Sequence, residues 1–441
     1  MRRGRRLLAI ACLFLLVLPG LREAGQGAPA PRVHRAVLDN GLTVVVAENR
    51  AAEIVSLQVW VRAGSKDETP ETSGAAHFLE HMLFKGTRRR KVGEIEREIE
   101  SIGGRVNAAT SRDFTYYWLV AASRFFDRVL DLQVDAVMNS TLDAQEVERE
   151  RRVILEEMNR RDDNPPALLF DQMFAVLYTV HPYRHRVLGT RESVTGMGRD
   201  ALAGFYRTYY VPSNMAVVVV GDVRAEETLA RVRRAYQSFR GRPPARPPRP
   251  AEPPLRGVRR SVEDGDVRQA YLRLAFPGPG VRDPDTYALD VLATILGEGR
   301  ASRLYRALRD PGIAHEVDAF YLTQEDSGPI SVGAVVDPEQ AARAEAVILE
   351  EIRRIRADGV TEDEVRRAKT LLEAQVARGT QTTDGMARVL GYYAVLADLE
   401  FVDTYMERMR RVTPDDVKRV AAKYLTPQDH VVAVLRPRGG R

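Results

Sequence analysis

Seven of the 22 residues between Gln237 and Val258 are proline, and no other segment constrains the fold of this chain as strongly. Proline has no amide donor and a fixed φ, so a run such as QSFRGRPPARPPRPAEPPLRGV cannot enter the interior of a helix or sheet. It favours extended polyproline backbone. The spacing predicts a linker over 237–258 that divides the chain into 33–236 and 259–441. Each part is about 200 residues long, enough for a core of its own.

The two parts read as diverged copies. Leu202, Phe205, Tyr206 and Tyr209 follow the helical period after a cap near Asp200, stop before Pro212, and precede a strand from Ala216 to Val220. Val417, Val420, Ala421 and Tyr424 repeat that spacing after Asp415 and before Pro427, with a strand from Val431 to Leu435. Every pair is offset by 215 residues. A fixed offset of this kind is the signature of an internal repeat.

Each copy mixes strands and helices. In the first, Val37-Leu38 and Leu42–Val46 flank Asp39-Asn40-Gly41, a hairpin signal, and Ser56–Val61 alternates as a strand. Val92, Ile95, Ile99 and Ile102 mark one helix face, and 125–138 is a second apolar-faced helix. The expected class is α+β: two homologous domains, each a mixed or antiparallel sheet with helices packed on it.

The N-terminus reads as a leader. Arg2, Arg3, Arg5 and Arg6 precede an apolar run from Leu7 to Leu18, then a small-residue stretch to Ala30. That order predicts a secretory signal peptide over 1–30 and an exported protein, periplasmic or secreted. Twelve apolar residues are too few to span a bilayer. Residues 1–30 carry five Arg and one Glu, so of the chain's net charge of +5 only about +1 belongs to the rest. Such a balance leaves no nucleic-acid footprint. Cys12 is the single cysteine, so disulfides and cysteine chemistry are excluded from the remaining sequence.

The chemistry is concentrated in His77-Phe78-Leu79-Glu80-His81. On a helix His77 and His81 stand one turn apart, and Glu80 shares their face. Ser73 is placed to cap this helix and Gly86 to end it. Apolar Phe78, Leu79, Met82, Leu83 and Phe84 bury it. Polar groups converging on a buried face need partners, and a divalent cation satisfies two neutral imidazoles at once. Zinc takes histidine nitrogen and carboxylate oxygen, and catalytic zinc uses three protein ligands. A second helix from about Asp143 to Arg161, with Val147, Ile154 and Met158 inward, carries Glu146, Glu150, Glu156 and Glu157. Spacing alone leaves Glu156 and Glu157 as alternatives for the third ligand.

The stretches AAHFLEHMLFKGT, GGRVNAATSRDFTYYW, ERERRVILEEMNR, HPYRHRVLGTRESV and YVPSNMAVVVVGDV together resemble the M16 (pitrilysin-like, inverzincin) metallopeptidases. The likeness is to the mitochondrial processing peptidase type and its bacterial relatives. It implies one zinc ion per chain, held by His77, His81 and a glutamate about 76 residues further on, which is Glu157. It also implies a supporting role for Glu150, seven residues earlier, and a general-base role for Glu80. Relatives bind peptides as an added strand, which assigns Asn107 and Ala108 to substrate binding on the edge strand Val106–Thr110.

In the second copy Leu292, Ile295, Leu296 and Leu372 occupy the positions equivalent to His77, Glu80, His81 and Glu157, so that copy is read as non-catalytic. Many relatives carry there an Arg and a Tyr that hold the substrate. Here the matching stretch runs Leu308-Arg309-Asp310-Pro311-Gly312-Ile313-Ala314-His315, with Arg309 retained and His315 in place of Tyr. The departure implies a homodimer, or a heterodimer with a paralogous subunit that lacks the H-x-x-E-H motif. The activity implied is a zinc endopeptidase acting on peptides or small unfolded proteins. The alternative is a non-catalytic structural subunit of a processing-peptidase-like complex.

Overall fold

The computed structural model describes residues 32–242, 245–246 and 248–438. The leader expected over 1–30 lies outside the described residues. The first half forms a six-stranded sheet from β1 (Val33–Val37), β2 (Thr43–Glu48), β3 (Ile54–Val61), β4 (Arg105–Thr110), β5 (Thr115–Ala122) and β6 (Met215–Gly221), in the order β1-β2-β6-β3-β5-β4. The second forms a five-stranded sheet from β7 (Arg259–Gly265), β8 (Ala270–Pro277), β9 (Glu316–Tyr321), β10 (Pro329–Val336) and β11 (Val431–Pro437), in the order β7-β11-β8-β10-β9. In each sheet one parallel pair, β2–β6 or β7–β11, sits among antiparallel neighbours.

With β1 set aside, the two strand orders coincide: β2 matches β7, β6 matches β11, β3 matches β8, β5 matches β10 and β4 matches β9. The helix–turn–strand pattern seen in the sequence is helix Arg199–Tyr209 with β6, and helix Pro414–Tyr424 with β11. The chain is α+β with mixed sheets.

One face of each sheet carries its own helices and the larger cores. The opposite faces are covered by exchange. Helix Pro165–Leu177, from the first half of the sequence, packs on β8 and β11 of the second sheet. Helix Thr383–Leu396, from the second half, packs on β3 and β6 of the first. Leu169, Met173 and Phe174 thereby meet Ala275, Val431 and Ala433, while Ala387 and Leu390 meet Trp60, Ala216 and Val218. This double coverage explains why β6, reading MAVVVVG, is buried at every position.

The described residues of the Pro-rich segment lie against both halves. Arg249 places Nε 2.5 Å from Asp326 Oδ2 and Nη1 3.9 Å from Asp67 Oδ1. Glu252 accepts the amides of Thr179, Val180 and His181 at 2.7–2.9 Å. Its prolines exclude it from both sheets, and its charged side chains fasten it to them.

Several local expectations shift. Ser73 does not cap the motif helix, Ala75–Met82; Gly74 stands at that position with φ +94° and no side-chain cap. Gly198, not Asp200, precedes the helix that begins at Arg199. Val92 lies before helix Glu94–Ser101 and is 41 % exposed, whereas Ile95 and Ile99 are buried. No described helix is long and apolar enough to cross a membrane.

Candidate metal centre

The motif helix packs against β4 and against the long helix Ala144–Asp162. Asp143 caps the long helix by accepting the amides of Gln145 and Glu146. Its Val147, Ile154 and Met158 are in the core, and that packing sets which carboxylates turn inward. Glu150 and Glu157 do, at 7 % and 8 % exposure. Glu156 is exposed and accepts a hydrogen bond from Asn159 Nδ2 at 3.1 Å.

His77 and His81 rings lie 4.8 Å apart, centroid to centroid. Glu157 Oε2 is 3.7 Å from His77 Nε2 and 3.5 Å from His81 Nε2. One donor atom from each of the three residues falls within 4.8 Å of the others, so the group can hold a metal ion. Two donors about 2.1 Å from one zinc ion at the tetrahedral angle stand roughly 3.4 Å apart. The donor set, two imidazoles and one carboxylate, and its spacing therefore fit zinc.

Glu150 completes the surroundings. Its Oε2 lies 3.1 Å from His81 Nδ1 and its Oε1 lies 3.1 Å from Lys85 Nζ. A proton on His81 Nδ1, donated to Glu150, leaves the Nε2 lone pair directed at the cluster. Burial and the neighbouring His81 push His77 down to about 3, so its ring is neutral and able to ligate. Burial opposes charge on His81, but the bonds to Glu150 and Glu157 outweigh it and carry the ring up to about 9. Without a metal that ring therefore holds a second proton, on the Nε2 that faces Glu157, and a bound cation would take that proton's place. Burial also pushes the Glu80 carboxyl above its ordinary value, with His81 and Thr110 pulling the other way.

Asn107 and Ala108 lie on β4, which forms the edge of the first sheet and adjoins the motif helix. The Ala108 amide donates to Asn107 Oδ1 at 2.9 Å. Arg309 and His315 belong to the second half and engage none of these groups by hydrogen bond or ion pair among the described residues. Arg309 ends the short helical segment Tyr305–Arg309 and is exposed. His315 Nε2 is 2.8 Å from Asp337 Oδ1 and its amide donates to Val335. Leu292, Ile295 and Leu296 fill the equivalent helix of the second half, Thr286–Gly297, with buried hydrocarbon, and Leu372 faces the same core. Two contributors escaped the sequence reading. Lys85 lies just beyond the end of the motif helix, four residues after His81, within the stretch that carries the motif. Glu68 had no signal; its carboxylate accepts the amides of Gly74 and Ala76.

Comparison with known proteins gives the frame for this site. The model described as "Insulinase (Peptidase family M16)" matches residues 43–191, and that described as "Peptidase M16 inactive domain" matches residues 196–372. A protein of Mycobacterium leprae named as a zinc protease is 34 % identical over 93 % of each chain. The chain belongs to peptidase family M16. A relative named as a probable mitochondrial-processing peptidase subunit beta, from Arabidopsis thaliana, is 31 % identical over 92 % of this chain and 79 % of its own length. The crystal structure of a protease from Helicobacter pylori superposes with a TM-score of 0.86 at 27 % identity, over 92 % of this chain and all of that one. The M16 description "inactive" falls on a region that includes Leu292, Ile295, Leu296 and Leu372.

Proposed function

We propose that this chain is a zinc-dependent endopeptidase that hydrolyses peptides or small unfolded proteins. The observation that carries the reading is the convergence of His77, His81 and Glu157 within 4.8 Å, with Glu80 on the same helix. A zinc ion held there supplies Lewis-acid polarisation of the scissile carbonyl and acidifies water. Glu80 takes the proton from the attacking water and returns it to the departing amine nitrogen. Glu150 holds the His81 tautomer. Asn107 and Ala108 present an open strand edge on which a peptide lies extended, paired through backbone hydrogen bonds.

The working unit we propose is a pair of chains, either two copies or this chain with a paralogue lacking the motif. His315 is engaged within its own half by Asp337 and Arg309 is exposed, and in this reading a second chain supplies the groups that hold the far side of the substrate. The leader composition supports export to the periplasm or beyond.

Metal analysis and one variant test the core of this reading. Expected are about one zinc per chain, activity lost to chelator and restored by zinc, and Glu80→Gln protein that keeps zinc but loses roughly 10²–10⁴-fold in kcat. A chain that binds no zinc is a structural subunit instead. Rapid peptide turnover by the chain as a monomer would exclude the pairing.

A further inference from the structure

The helix that carries both histidines has no cap of its own. Gly74 begins it with φ +94° and offers no side chain, and an added Cβ there would lie 2.7 Å from the Leu188 carbonyl oxygen. A capping residue such as Ser, Thr or Asp is therefore barred at that position. The first amides of an eight-residue helix would go unpaired beside a buried site. They are met from outside: Glu68 Oε2 accepts the Gly74 amide at 2.7 Å, and Oε1 accepts the Ala76 amide at 2.9 Å. Ala76 is the residue before His77. One carboxylate thus fixes the start of the motif helix and lies on its positive end.

Glu68 is itself anchored. The segment Ser65–Asp67 before it is tied down by its two charged side chains. Lys66 is fully buried, with Nζ 2.6 Å from Asp113 Oδ1 and paired also with Glu325 of the second half. The Asp67 side chain is buried, accepts the Gly64 amide at 3.1 Å, and faces Arg246 and Arg249 of the Pro-rich segment. Asp113 belongs to the turn that follows β4, and Ser65 and Lys66 donate their amides to Ser111 and Arg112 of that turn. The same short segment therefore touches the end of the substrate strand, the second half and, through Glu68, the histidine helix.

We infer that Glu68 is a positioning residue: its carboxylate sets the placement of the His77–His81 helix relative to Glu157, and so metal affinity and turnover. The inference rests on the zinc-peptidase reading above. Glu68 touches neither the metal donors nor the reacting atoms.

The test compares wild type, Glu68→Gln and Glu68→Asp as full chains. Zinc affinity is read by competition with a chromogenic chelator, kcat and KM with a fluorogenic peptide, and folding by circular dichroism and thermal melting. Expected for Glu68→Gln is folded protein with zinc affinity and kcat each lowered roughly 10–100-fold and KM within about twofold. Glu68→Asp keeps the carboxyl with a shorter reach, and falls between wild type and Glu68→Gln. Both variants matching wild type in affinity and kcat, with at most a lower melting temperature, would overturn the positioning role. Failure of both to fold would assign Glu68 to global stability and overturn it equally. A wild type that binds no zinc fails the parent reading instead, so the two failures are distinct.

Discussion

Glu150 Oε2 stands 3.1 Å from Nδ1 of His81, on the side of the ring away from the cluster of donor atoms. The ring can therefore donate outward while it ligates inward. Glu150→Gln keeps the shape and removes the charge, and leaves Lys85 without its ionic partner. Zinc affinity is expected to fall roughly 10–100-fold, the usual cost of losing such a support. Chelator competition measures it. Unchanged affinity would reduce Glu150 to a buried ion-pair partner of Lys85.

Gly391 and Trp60 mark where the exchanged helix meets the first sheet. A Cβ added at Gly391 would lie 2.0 Å from Trp60 Nε1. Trp60 has no easy retreat, because its indole donates to Gln58 Oε1 at 2.9 Å and Gln58 in turn donates to Asp384 Oδ1 at 2.9 Å. Gly391→Ala is expected to cost about 1–3 kcal/mol of stability, the range for overpacking. A lowered urea midpoint shows it. Wild-type stability would mean that the helix slides freely on the sheet.

The contrast between these two sites shows what the sequence could and could not disclose. The metal helix was legible because five adjacent residues carry its chemistry, and the repeat was legible because it keeps one offset. Glu157 and Glu156 differ only in which side of one helix they face, so packing had to separate them. The exchange of helices was not legible. Pro165–Leu177 and Thr383–Leu396 are apolar enough to demand burial, but nothing local states which sheet buries them. The motif-helix cap was misread for a related reason. Ser73 satisfies the local pattern, yet the partner is Glu68, and no cap signature describes a carboxylate that reaches in from a preceding loop.

Acid sensitivity has an identifiable source in the second half. Arg303 grips Glu364 through Nε at 2.7 Å and Nη2 at 2.8 Å, and the Thr361 amide donates to the same carboxylate at 2.9 Å. Burial alone would raise the Glu364 carboxyl, but these bonds outweigh it and bring it from its ordinary 4.5 to about 2. A carboxyl that titrates lower in the folded chain than in the unfolded one stabilises above its unfolded value. That contribution is full above about pH 4.5 and is lost as pH falls towards about 2. Urea midpoints taken across that window should fall for wild type and fall less for Glu364→Gln. Parallel curves for the two proteins would remove Glu364 as the source.

The open edge of β4 yields a prediction that separates substrate binding from metal chemistry. Proline is tolerated on edge strands, where its missing amide faces no neighbour. The Ala108 amide points away from β5 and is held only by Asn107 Oδ1, at 2.9 Å, so proline there costs no bond between the two strands. Ala108 is also buried, so circular dichroism must first show Ala108→Pro folded; zinc content is then expected at wild-type level. The substitution removes the amide that an extended peptide would take over from Asn107 on pairing. One hydrogen bond of about 1 kcal/mol corresponds to roughly five- to tenfold in kcat/KM. The loss should be felt by peptides long enough to lie along the strand, and much less by a minimal substrate that spans only the scissile bond. Equal effects on long and short substrates, or none on either, would place the peptide elsewhere and return β4 to the role of a plain sheet edge.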